Sequence, residues 1–177
     1  MPRLFTGIEI PAKVASGLAA LRGGLPGARW IEPENYHMTL RFIGDVDEVV
    51  AHEIGELLGR VRRSGFELLF DRLDQFGGNR PRAVFAAAGA NPALAELQAE
   101  HERLLRRIGF PPESRKFSPH VTLARLRDST TRAVAEYLAT RGLFRSTAFR
   151  VERFVLFSSR ASTGGGPYVV EADYPLE

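Results

Sequence analysis

A four-residue pattern that occurs twice constrains the fold of this sequence more than any other feature. HMTL spans residues 37–40 within YHMTLRFIG, and HVTL spans residues 120–123 within SPHVTLARL. Both stretches are short and apolar, with β-branched residues, which is typical of a β-strand. Because strand side chains alternate between faces, the His and Thr of each copy point to the same side. The residues between them are expected to point into a core on the other side.

The two copies divide the chain into similar halves. The copies lie about half a chain length apart in a sequence of 177 residues. In both halves the predicted elements follow the same order: helix, extended entry, His strand, helix, strand. Outside the tetrapeptides no repeat is visible at the level of residues. We therefore expect a pseudo-symmetric α+β fold rather than a solenoid. Because no linker-like segment separates the halves, residues 1–177 are predicted to form one domain of two intertwined lobes.

Apolar periodicity and turn-forming residues give the expected elements. Strands are predicted at 3–10, 36–43, 66–73, 83–88, 118–125, 149–157 and 168–172. Helices are predicted at 11–22, 46–63, 91–108 and 129–140. Asn91 and Pro92 suit the start of the third helix, since Asn can cap and Pro fits the first turn. A glycine-rich loop is expected at 158–166.

Composition excludes several classes of protein. There is no cysteine, so disulfides, thiolate metal sites and a catalytic thiol are excluded. No run of about 18 apolar residues exists, so no membrane span is expected. The first ten residues alternate apolar and polar side chains, which indicates a strand rather than a signal peptide. A cytoplasmic location is the resulting expectation.

The basic residues are almost all arginine. Lysine occurs only at Lys13 and Lys116, and the other 22 of the 24 basic residues are Arg. The guanidinium fork suits phosphate oxygens, but an Arg-rich chain is also what a GC-rich genome produces. The formal net charge of +3 does not by itself indicate a nucleic-acid partner.

The repeated residues suit hydrolysis of a cyclic phosphodiester. That reaction needs a base for the attacking water, an acid for the departing oxygen, and donors for the non-bridging oxygens. Imidazole has an unperturbed pKa of about 6.5, so His37 and His120 can divide the acid and base roles. Thr39 and Thr122, two positions along on the same faces, can donate to phosphate oxygens.

Three further residues near the motifs are candidates. In a regular strand Arg41 shares the face of His37, so it is predicted either to bind phosphate or to lie solvated at the strand end. Strict alternation places Arg125 on the face opposite to His120, unless the strand bends or bulges there. Phe117 can stack on a base, but its residue type favours the core.

Other catalytic motifs are incomplete. His52-Glu53 and His101-Glu102 begin like the His-Glu-x-x-His zinc motif, but Glu56 and Leu105 occupy the position of the second ligand. Both histidines are predicted to be exposed on helices. The sequence contains no P-loop, no Gly-x-Gly-x-x-Gly fingerprint and no Gly-x-Ser-x-Gly elbow. No bound metal and no cofactor are expected.

The chain resembles the two-histidine (2H) phosphoesterases, and within them the bacterial and archaeal RNA 2′,3′-cyclic phosphodiesterases, historically called 2′-5′ RNA ligases. The resemblance covers nearly the whole sequence. It rests on RLFTGIEIP, Trp30 before YHMTLRFIG, PRAVFAAAG, FSPHVTLARL, and VERFVLFSSR before GPYVV. It implies a bilobal fold, with antiparallel sheets facing a central cleft and helices on the outside.

The resemblance also implies a reaction and residue roles. The reaction is metal-independent hydrolysis of a 2′,3′-cyclic phosphate at an RNA 3′ end to a 2′-phosphomonoester, and its reversal gives 2′-5′ ligation without ATP. His37 is the implied proton donor to the leaving 3′ oxygen, and His120 the implied base. Thr39 and Thr122 are implied to hold phosphate oxygens. Arg125 is implied to bind phosphate, which requires a twist or bulge in its strand.

The expected partner is RNA with a 2′,3′-cyclic phosphate end, tRNA fragments included, or a cyclic nucleotide. A monomer that does not bind membranes is expected. Two alternatives remain open. The same site can act on a nucleotide metabolite or an oligonucleotide 3′ end, or the fold can serve as a non-catalytic RNA-binding module. The intact His and Thr of both motifs favour an enzyme.

Overall fold

The computed structural model describes residues 1–160, 162 and 165–177. Within that range the strands are β1 Arg3–Glu9, β2 Ala28–Trp30, β3 His37–Asp45, β4 Phe66–Leu68, β5 Phe70–Phe76, β6 Ala83–Ala88, β7 His120–Leu126, β8 Phe149–Val151, β9 Arg153–Ser158 and β10 Val169–Pro175. The helices are α1 Ala12–Ala19, α2 Glu48–Leu58, α3 Pro92–Arg107 and α4 Thr131–Thr140, with a 3₁₀ turn at Pro33–Asn35. Residues 161, 163 and 164 of the glycine-rich loop expected at 158–166 lie outside the described residues.

One antiparallel sheet carries both His motifs at its centre. Its strand order is β10-β9-β1-β3-β7-β6-β5, and β2 pairs with β7 beside this path. A separate two-stranded sheet joins β4 to β8. The motif strands β3 and β7 are neighbours, with β1 flanking one and β6 flanking the other. The α+β, pseudo-symmetric architecture expected from the repeat is therefore confirmed.

The two motif strands have the same pattern of side-chain burial. From each His onward it runs half-buried, buried, half-buried, buried, buried, exposed, half-buried. His37 and Thr39 thus share one face, as do His120 and Thr122. Met38 and Val121 lie on the other face and are 0% exposed.

The opposite face of the sheet packs against helices. The largest core cluster joins residues of both halves, among them Leu18 of α1, Met38 of β3, Leu97 of α3 and Val121 of β7. Burial of an apolar side chain of this size stabilises the fold by about 1.5–3 kcal/mol. The helices therefore support the sheet from behind and leave the His face to a cleft. Because the core is shared, we propose that residues 1–177 form one domain.

Side-chain caps fix the starts of three helices. The Asp47 carboxylate accepts from the Val50 backbone N–H at 2.8 Å, and the Asn91 side chain accepts from Leu94 N–H at 3.1 Å. The Thr130 hydroxyl accepts from Ala133 N–H at 3.0 Å. Each cap satisfies a donor that the first helical turn leaves unpaired. The predicted start of α3 is confirmed.

Two predicted strands are each split between sheets. The stretch 66–73 is divided into β4, which pairs with β8, and β5, which pairs with β6. The stretch 149–157 is divided into β8 and β9 in the same way. Helix α2 is shorter than the predicted 46–63, since Asp47 caps it and it ends at Leu58, before Gly59. No helix in the described part of the chain is both long and apolar enough to cross a bilayer.

Candidate active site

The two His strands meet at a single pair of residues. Met38 and Val121 are the only Cα partners between β3 and β7 among the described residues. Each histidine immediately precedes its member of this pair, and the charge of His120 is among the causes that lower the pKa of His37. The fold thus brings the four candidate side chains from distant parts of the sequence to one place.

Each imidazole is oriented by its own chain. His37 Nδ1 lies 2.9 Å from the carbonyl oxygen of Asn35, and His120 Nδ1 lies 2.6 Å from that of Ser118. A carbonyl oxygen can only accept, so Nδ1 carries the proton and donates in both rings. In the neutral ring this leaves the lone pair on Nε2 for acid–base exchange.

A β-bulge follows Thr in each motif. In the β1–β3 ladder Thr6 faces Arg41 but Gly7 faces Thr39, so Leu40 is the extra residue. In the β6–β7 ladder Val84 faces Ala124 but Phe85 faces Thr122, so Leu123 is the extra residue. A bulge reverses the alternation of side chains beyond it. The fifth residue after each His therefore returns to the cleft face.

The bulges decide the positions of both candidate arginines. Arg125 is exposed and lines the cleft with His37 and Thr39. Arg41 was predicted to share the face of His37, and this is wrong. Its side chain is 7% exposed on the core face, where Nε lies 2.6 Å from Glu102 Oε2. Arg41 is therefore removed from the candidate phosphate ligands.

Aromatic rings surround both histidines in matching positions. The ring of His37 lies 5.0 Å from Phe5 of β1, 5.7 Å from Phe157 of β9 and 4.8 Å from Tyr168. The ring of His120 lies 5.1 Å from Phe85 of β6 and 4.9 Å from Phe76 of β5. Beside each histidine the two phenylalanines stack on one another, with centroid distances of 5.1 Å and 4.1 Å. These walls reduce the water around each imidazole.

Burial lowers the pKa of both imidazoles. For His37, burial is the main cause, and the charges of His120 and Arg125 lower its pKa further, against the hydrogen bond to Asn35. For His120, burial lowers the pKa against the hydrogen bond to Ser118. Both rings therefore favour the neutral form more than free imidazole does.

The face that carries His37 and Thr39 opens into a cleft of about 750 Å³. Several of its lining side chains are cationic: Arg3, Arg29, Arg125 and Arg160. Arg29 of β2 and Arg125 of β7 are Cα partners, so they lie side by side on the sheet. Arg3 pairs with Asp45, and Arg160 pairs with Glu48 and Glu171. The cleft therefore offers cations to an anionic ligand beside the His37 imidazole.

A family description matches this chain twice. The model of the LigT-like phosphoesterases covers residues 8–86 and again 84–168, one match for each half. The chain belongs to the LigT-like phosphoesterase family. Each match contains one His motif, and the boundary between them falls within β6.

Relatives of the LigT-like family are similar over much of the chain. An RNA 2′,3′-cyclic phosphodiesterase of Aeropyrum pernix is 44% identical over 106 residues, 59% of this chain and 60% of that protein. The matched stretch therefore spans less than two thirds of that relative. The Aquifex aeolicus protein of the same name is 32% identical over 157 residues, 84% of this chain and 81% of that protein. The crystal structure of Escherichia coli LigT with 3′-AMP matches with a TM-score of 0.81 and 27% identity, covering 99% of each chain.

The other two histidines of this LigT-like chain lie outside the cleft. His52 is exposed on α2, as predicted, and sits 3.9 Å from Glu56. His101 was predicted to be exposed, which is wrong. It is 0% exposed on α3 and shares a 2.9 Å hydrogen bond with Thr6. Among the described residues, no group of three or more His, Cys, Asp and Glu side chains converges as a metal would require.

Sequence reasoning missed the residues that orient and enclose the imidazoles. Asn35 and Ser118 act through backbone oxygens, so their side chains give no signal. The aromatic residues beside the imidazoles do leave a signal in the sequence, because Phe5 and Phe85 occupy strands that flank the His strands in a pseudo-symmetric sheet. Phe117, which residue type assigned to the core, is partly buried and packs against it.

The arrangement can transfer two protons around one anionic centre. Each ring presents Nε2 while Nδ1 is held, and the two rings lie on adjacent strands of one face. Arg125 adds a fixed positive charge, and the Thr39 and Thr122 hydroxyls lie on the same face as the imidazoles. Such a set is suited to in-line displacement at phosphorus, since it provides acid, base and oxyanion donors without a metal.

Proposed function

We propose that this chain hydrolyses the 2′,3′-cyclic phosphate at RNA 3′ ends to a 2′-phosphomonoester by two-histidine acid–base catalysis. The observation that carries the proposal is the pair of imidazoles on β3 and β7, each held at Nδ1 by the carbonyl two residues earlier. The names of the Aeropyrum pernix and Aquifex aeolicus relatives support the same activity. When a 5′-hydroxyl of a second RNA end takes the place of water, its oxygen bonds to phosphorus, the same bond to the 3′ oxygen breaks, and a 2′-5′ linkage forms without ATP.

The proposed step divides the work between the rings. His120 Nε2 takes a proton from water as the water oxygen bonds to phosphorus. The bond from phosphorus to the 3′ oxygen breaks, and His37 Nε2 gives that oxygen its proton. The family resemblance assigns which ring is acid and which is base. Burial keeps the pKa of His120 low, which suits a base that must be neutral.

The acid must carry a proton when substrate is bound. In the free protein burial and nearby positive charges lower the pKa of His37. A bound phosphodiester places a negative charge beside the ring, which raises that pKa. Substrate binding thus favours the protonated state that His37 needs. We assign Thr39, Thr122 and Arg125 to the non-bridging oxygens.

RNA is the proposed substrate rather than a free nucleotide. Arg29 and Arg125 lie side by side in the cleft, so a chain with successive phosphates can meet both. An oligomer ending in a cyclic phosphate, tRNA fragments included, is therefore expected to react with a higher kcat/KM than 2′,3′-cyclic AMP. Replacement of Arg29 by Ala should lower kcat/KM for the oligomer more than for the mononucleotide. Equal losses would favour a nucleotide metabolite as the natural substrate.

The reaction class is tested by incubation with 2′,3′-cyclic AMP. The expected product is the 2′-phosphate, identified by chromatography against both isomers, and activity should persist in EDTA. Formation of the 3′-phosphate, or activity that is lost in EDTA and restored by zinc, contradicts the proposed mechanism. Tight RNA binding without product at high protein concentration would favour the non-catalytic alternative.

The proposed working form is a monomer in the cytoplasm. The most exposed large apolar side chains in the described part of the chain are Val49 of α2 and Leu143, in the turn after α4. Scattered exposure of this kind is normal for a monomer. Light scattering at micromolar concentration should give the mass of one 19.6 kDa chain.

A further inference from the structure

Arg41 is held behind the active site by an unusually complete set of acceptors. Its side chain is 7% exposed, although arginine is rarely buried this far. Nε lies 2.6 Å from Glu102 Oε2, and Nη2 lies 3.4 Å from Oε1 of the same carboxylate. Nη2 also donates to the Pro111 carbonyl at 2.7 Å, and Nη1 donates to the Phe42 carbonyl. Arg41 thus joins β3, α3 and the chain beyond α3.

Glu102 makes a second connection to the same stretch of chain. Its Oε1 accepts from the Glu113 backbone N–H at 2.9 Å. The Arg41–Glu102 pair therefore fixes two points, Pro111 and Glu113, in the segment 109–119. That segment contains no helix or strand and is mostly exposed. The pair adds to the packing of Phe110 and Phe117 of this segment against the core.

The held segment ends at His120. Its Ser118 carbonyl accepts from His120 Nδ1 at 2.6 Å, and its Pro119 carbonyl accepts from Ala88 N–H at 3.1 Å. The position of Ser118 sets the direction of the imidazole, because the hydrogen bond fixes the ring about its side-chain torsions. A contact that fixes the course of 109–119 therefore acts on the His120 ring.

The segment that leads to the other histidine, His37, is held by a backbone hydrogen bond instead of a side chain. The segment that leads to His37 is held by a 2.8 Å bond from Ile31 N–H to the carbonyl of Leu123, the bulged residue of the second motif. The residue of β7 that corresponds to Arg41 is Ala124, which has no polar side chain. Each motif strand thus holds the approach to the other motif's histidine, and only the first does so through a side chain.

We infer that the Arg41–Glu102 pair is a positioning device for His120: it fixes Pro111 and Glu113 so that the Ser118 carbonyl orients the imidazole. The inference rests on the proposed function, in which His120 is the base. Arg41 touches no substrate in this role and acts only through the segment it holds. The pair therefore links the strand of one histidine to the orientation of the other.

The test removes the pair without leaving a buried charge. Loss of one partner would strand the other in the core, which is strongly destabilising. The double variant Arg41→Met/Glu102→Leu replaces both with apolar side chains of similar volume. We expect it to fold, with kcat on 2′,3′-cyclic AMP reduced about 10- to 100-fold and KM changed much less. The matched control is Arg63→Met/Glu100→Leu, which removes a 2.8 Å pair between Arg63, in the loop after α2, and Glu100 of α3, away from segment 109–119.

A second measurement does not depend on activity. The ring nitrogens of a ¹⁵N-histidine-labelled sample report tautomer and hydrogen bonding for each imidazole. In the double variant the Nδ1 signal of His120 should move and its tautomers should mix, while the signals of His37 stay as in the wild type. The control variant should change neither ring. A wild-type protein that shows these signals but turns over no cyclic phosphate would overturn the proposed function and leave the positioning role intact.

Other results overturn the inference. Wild-type kcat with unchanged His120 signals would show that the pair does not position the ring. Equal changes at His37 and His120 would show a general structural role. If the double variant does not fold, Arg41→Lys serves instead, because it keeps the charge but cannot reach Glu102 and Pro111 with a planar fork. A smaller shift in the same direction, at His120 alone, is then expected.

Discussion

Single residues define the protonation chemistry of the cleft. His37 and His120 each donate Nδ1–H to a backbone carbonyl two residues earlier, at 2.9 Å and 2.6 Å. This fixes which nitrogen is available, so neither ring depends on an aspartate to set its tautomer. The phenylalanines beside each ring add burial, which lowers both pKa values.

Replacement of either histidine by Ala should abolish most activity without unfolding the protein. We expect kcat on 2′,3′-cyclic AMP to fall about 10²–10⁴-fold, because one proton transfer loses its catalyst. The melting temperature should change little, since neither ring is fully buried. His52→Ala is the control, since that side chain is 80% exposed on α2. Full activity in either His37→Ala or His120→Ala contradicts the assigned roles.

Neutralising Arg125 should raise the pKa of His37. The positive charge of Arg125 disfavours the imidazolium, so Arg125→Gln removes one of the causes that lower this pKa. NMR titration of the His37 ring should show the upward shift, and the basic limb of the kcat/KM profile should move to higher pH with it. His120 should keep its pKa, since Arg125 is not among the causes of its shift. Arg127→Gln is the control, because Arg127 is also exposed and lies just beyond β7. An equal shift of the His37 pKa in that variant would contradict a direct effect of Arg125.

The candidate residues differ in how far the sequence can reveal them. The faces of His37 and Thr39 follow from simple alternation, which holds up to the bulge. Arg41 lies just after it, and the sequence contains no mark that Leu40 is an extra residue in the ladder. Its burial could not be predicted, because the charge is compensated by Glu102, which is remote in the chain.

The strands that flank the two His motifs approach them at different distances. Gly7 of β1 faces Thr39, and a Cβ at this position would lie 2.6 Å from the Met38 carbonyl oxygen and 3.2 Å from the Phe157 ring. At the matching place β6 carries Phe85. The β1–β3 contact is therefore closer than its counterpart, and it tolerates only glycine.

Gly7→Ala should destabilise the protein and reduce its activity. The added methyl group must push β1 away from β3, and overpacking of this kind costs about 1–3 kcal/mol. Urea denaturation measures the free energy of unfolding, and kcat reports the displacement of His37. Gly17→Ala is a matched control in α1, where a Cβ meets nothing within 4 Å. It should stabilise by up to about 1 kcal/mol, and a similar loss in both variants would refute the close-contact argument.

Elements were predictable where their cause is local. Strand β6 begins and ends as expected, and the Asn91–Pro92 start of α3 is encoded in its own cap. The splits within 66–73 and 149–157 are different, because each depends on which distant strand is available to pair. β4 and β8 pair with each other and leave β5 and β9 to the large sheet. A continuous apolar run cannot show such a change of partner.

The whole molecule contains a buried imidazole that the reaction does not use. His101 shares a hydrogen bond with Thr6 and lies 4.5 Å from the Phe154 ring. Its Nε2 has no hydrogen-bond partner among the described residues. Burial, with a smaller effect of the Arg63 charge, lowers its pKa to about 3. Folding therefore holds this ring neutral at pH values where the unfolded chain would protonate it.

His101 should make the fold sensitive to acid. Its folded pKa is below the unfolded value of about 6.5, so the unfolded state binds more protons as pH falls, and stability is lost between pH 6.5 and 3. At pH 4 the loss amounts to about 3 kcal/mol at 1.36 kcal/mol per unit. His101→Gln should remove this share of the pH dependence in urea denaturation from pH 7 to 4. If the free energy of unfolding of His101→Gln depended on pH as in the wild type, His101 would not be the cause of the acid sensitivity. His52→Gln, at an exposed histidine, is the control.

The overall architecture was predictable because the sequence repeats its most constrained segment. Two like strands in one chain, with one core face each, imply a sheet with an approximate twofold relation. The sequence could not show that, in the described part of the chain, these strands pair only at Met38 and Val121, since that depends on the strand twist and on the packing behind them.

The exchange of aromatic rings between the halves has a consequence for how such a site is assembled. His37 is packed by Phe157 from the second half of the chain, and His120 is packed by Phe76 and Phe85 from the first half. Neither half alone therefore encloses its own imidazole. A single half expressed by itself would leave its histidine open to solvent, so the site exists only once both halves have folded together.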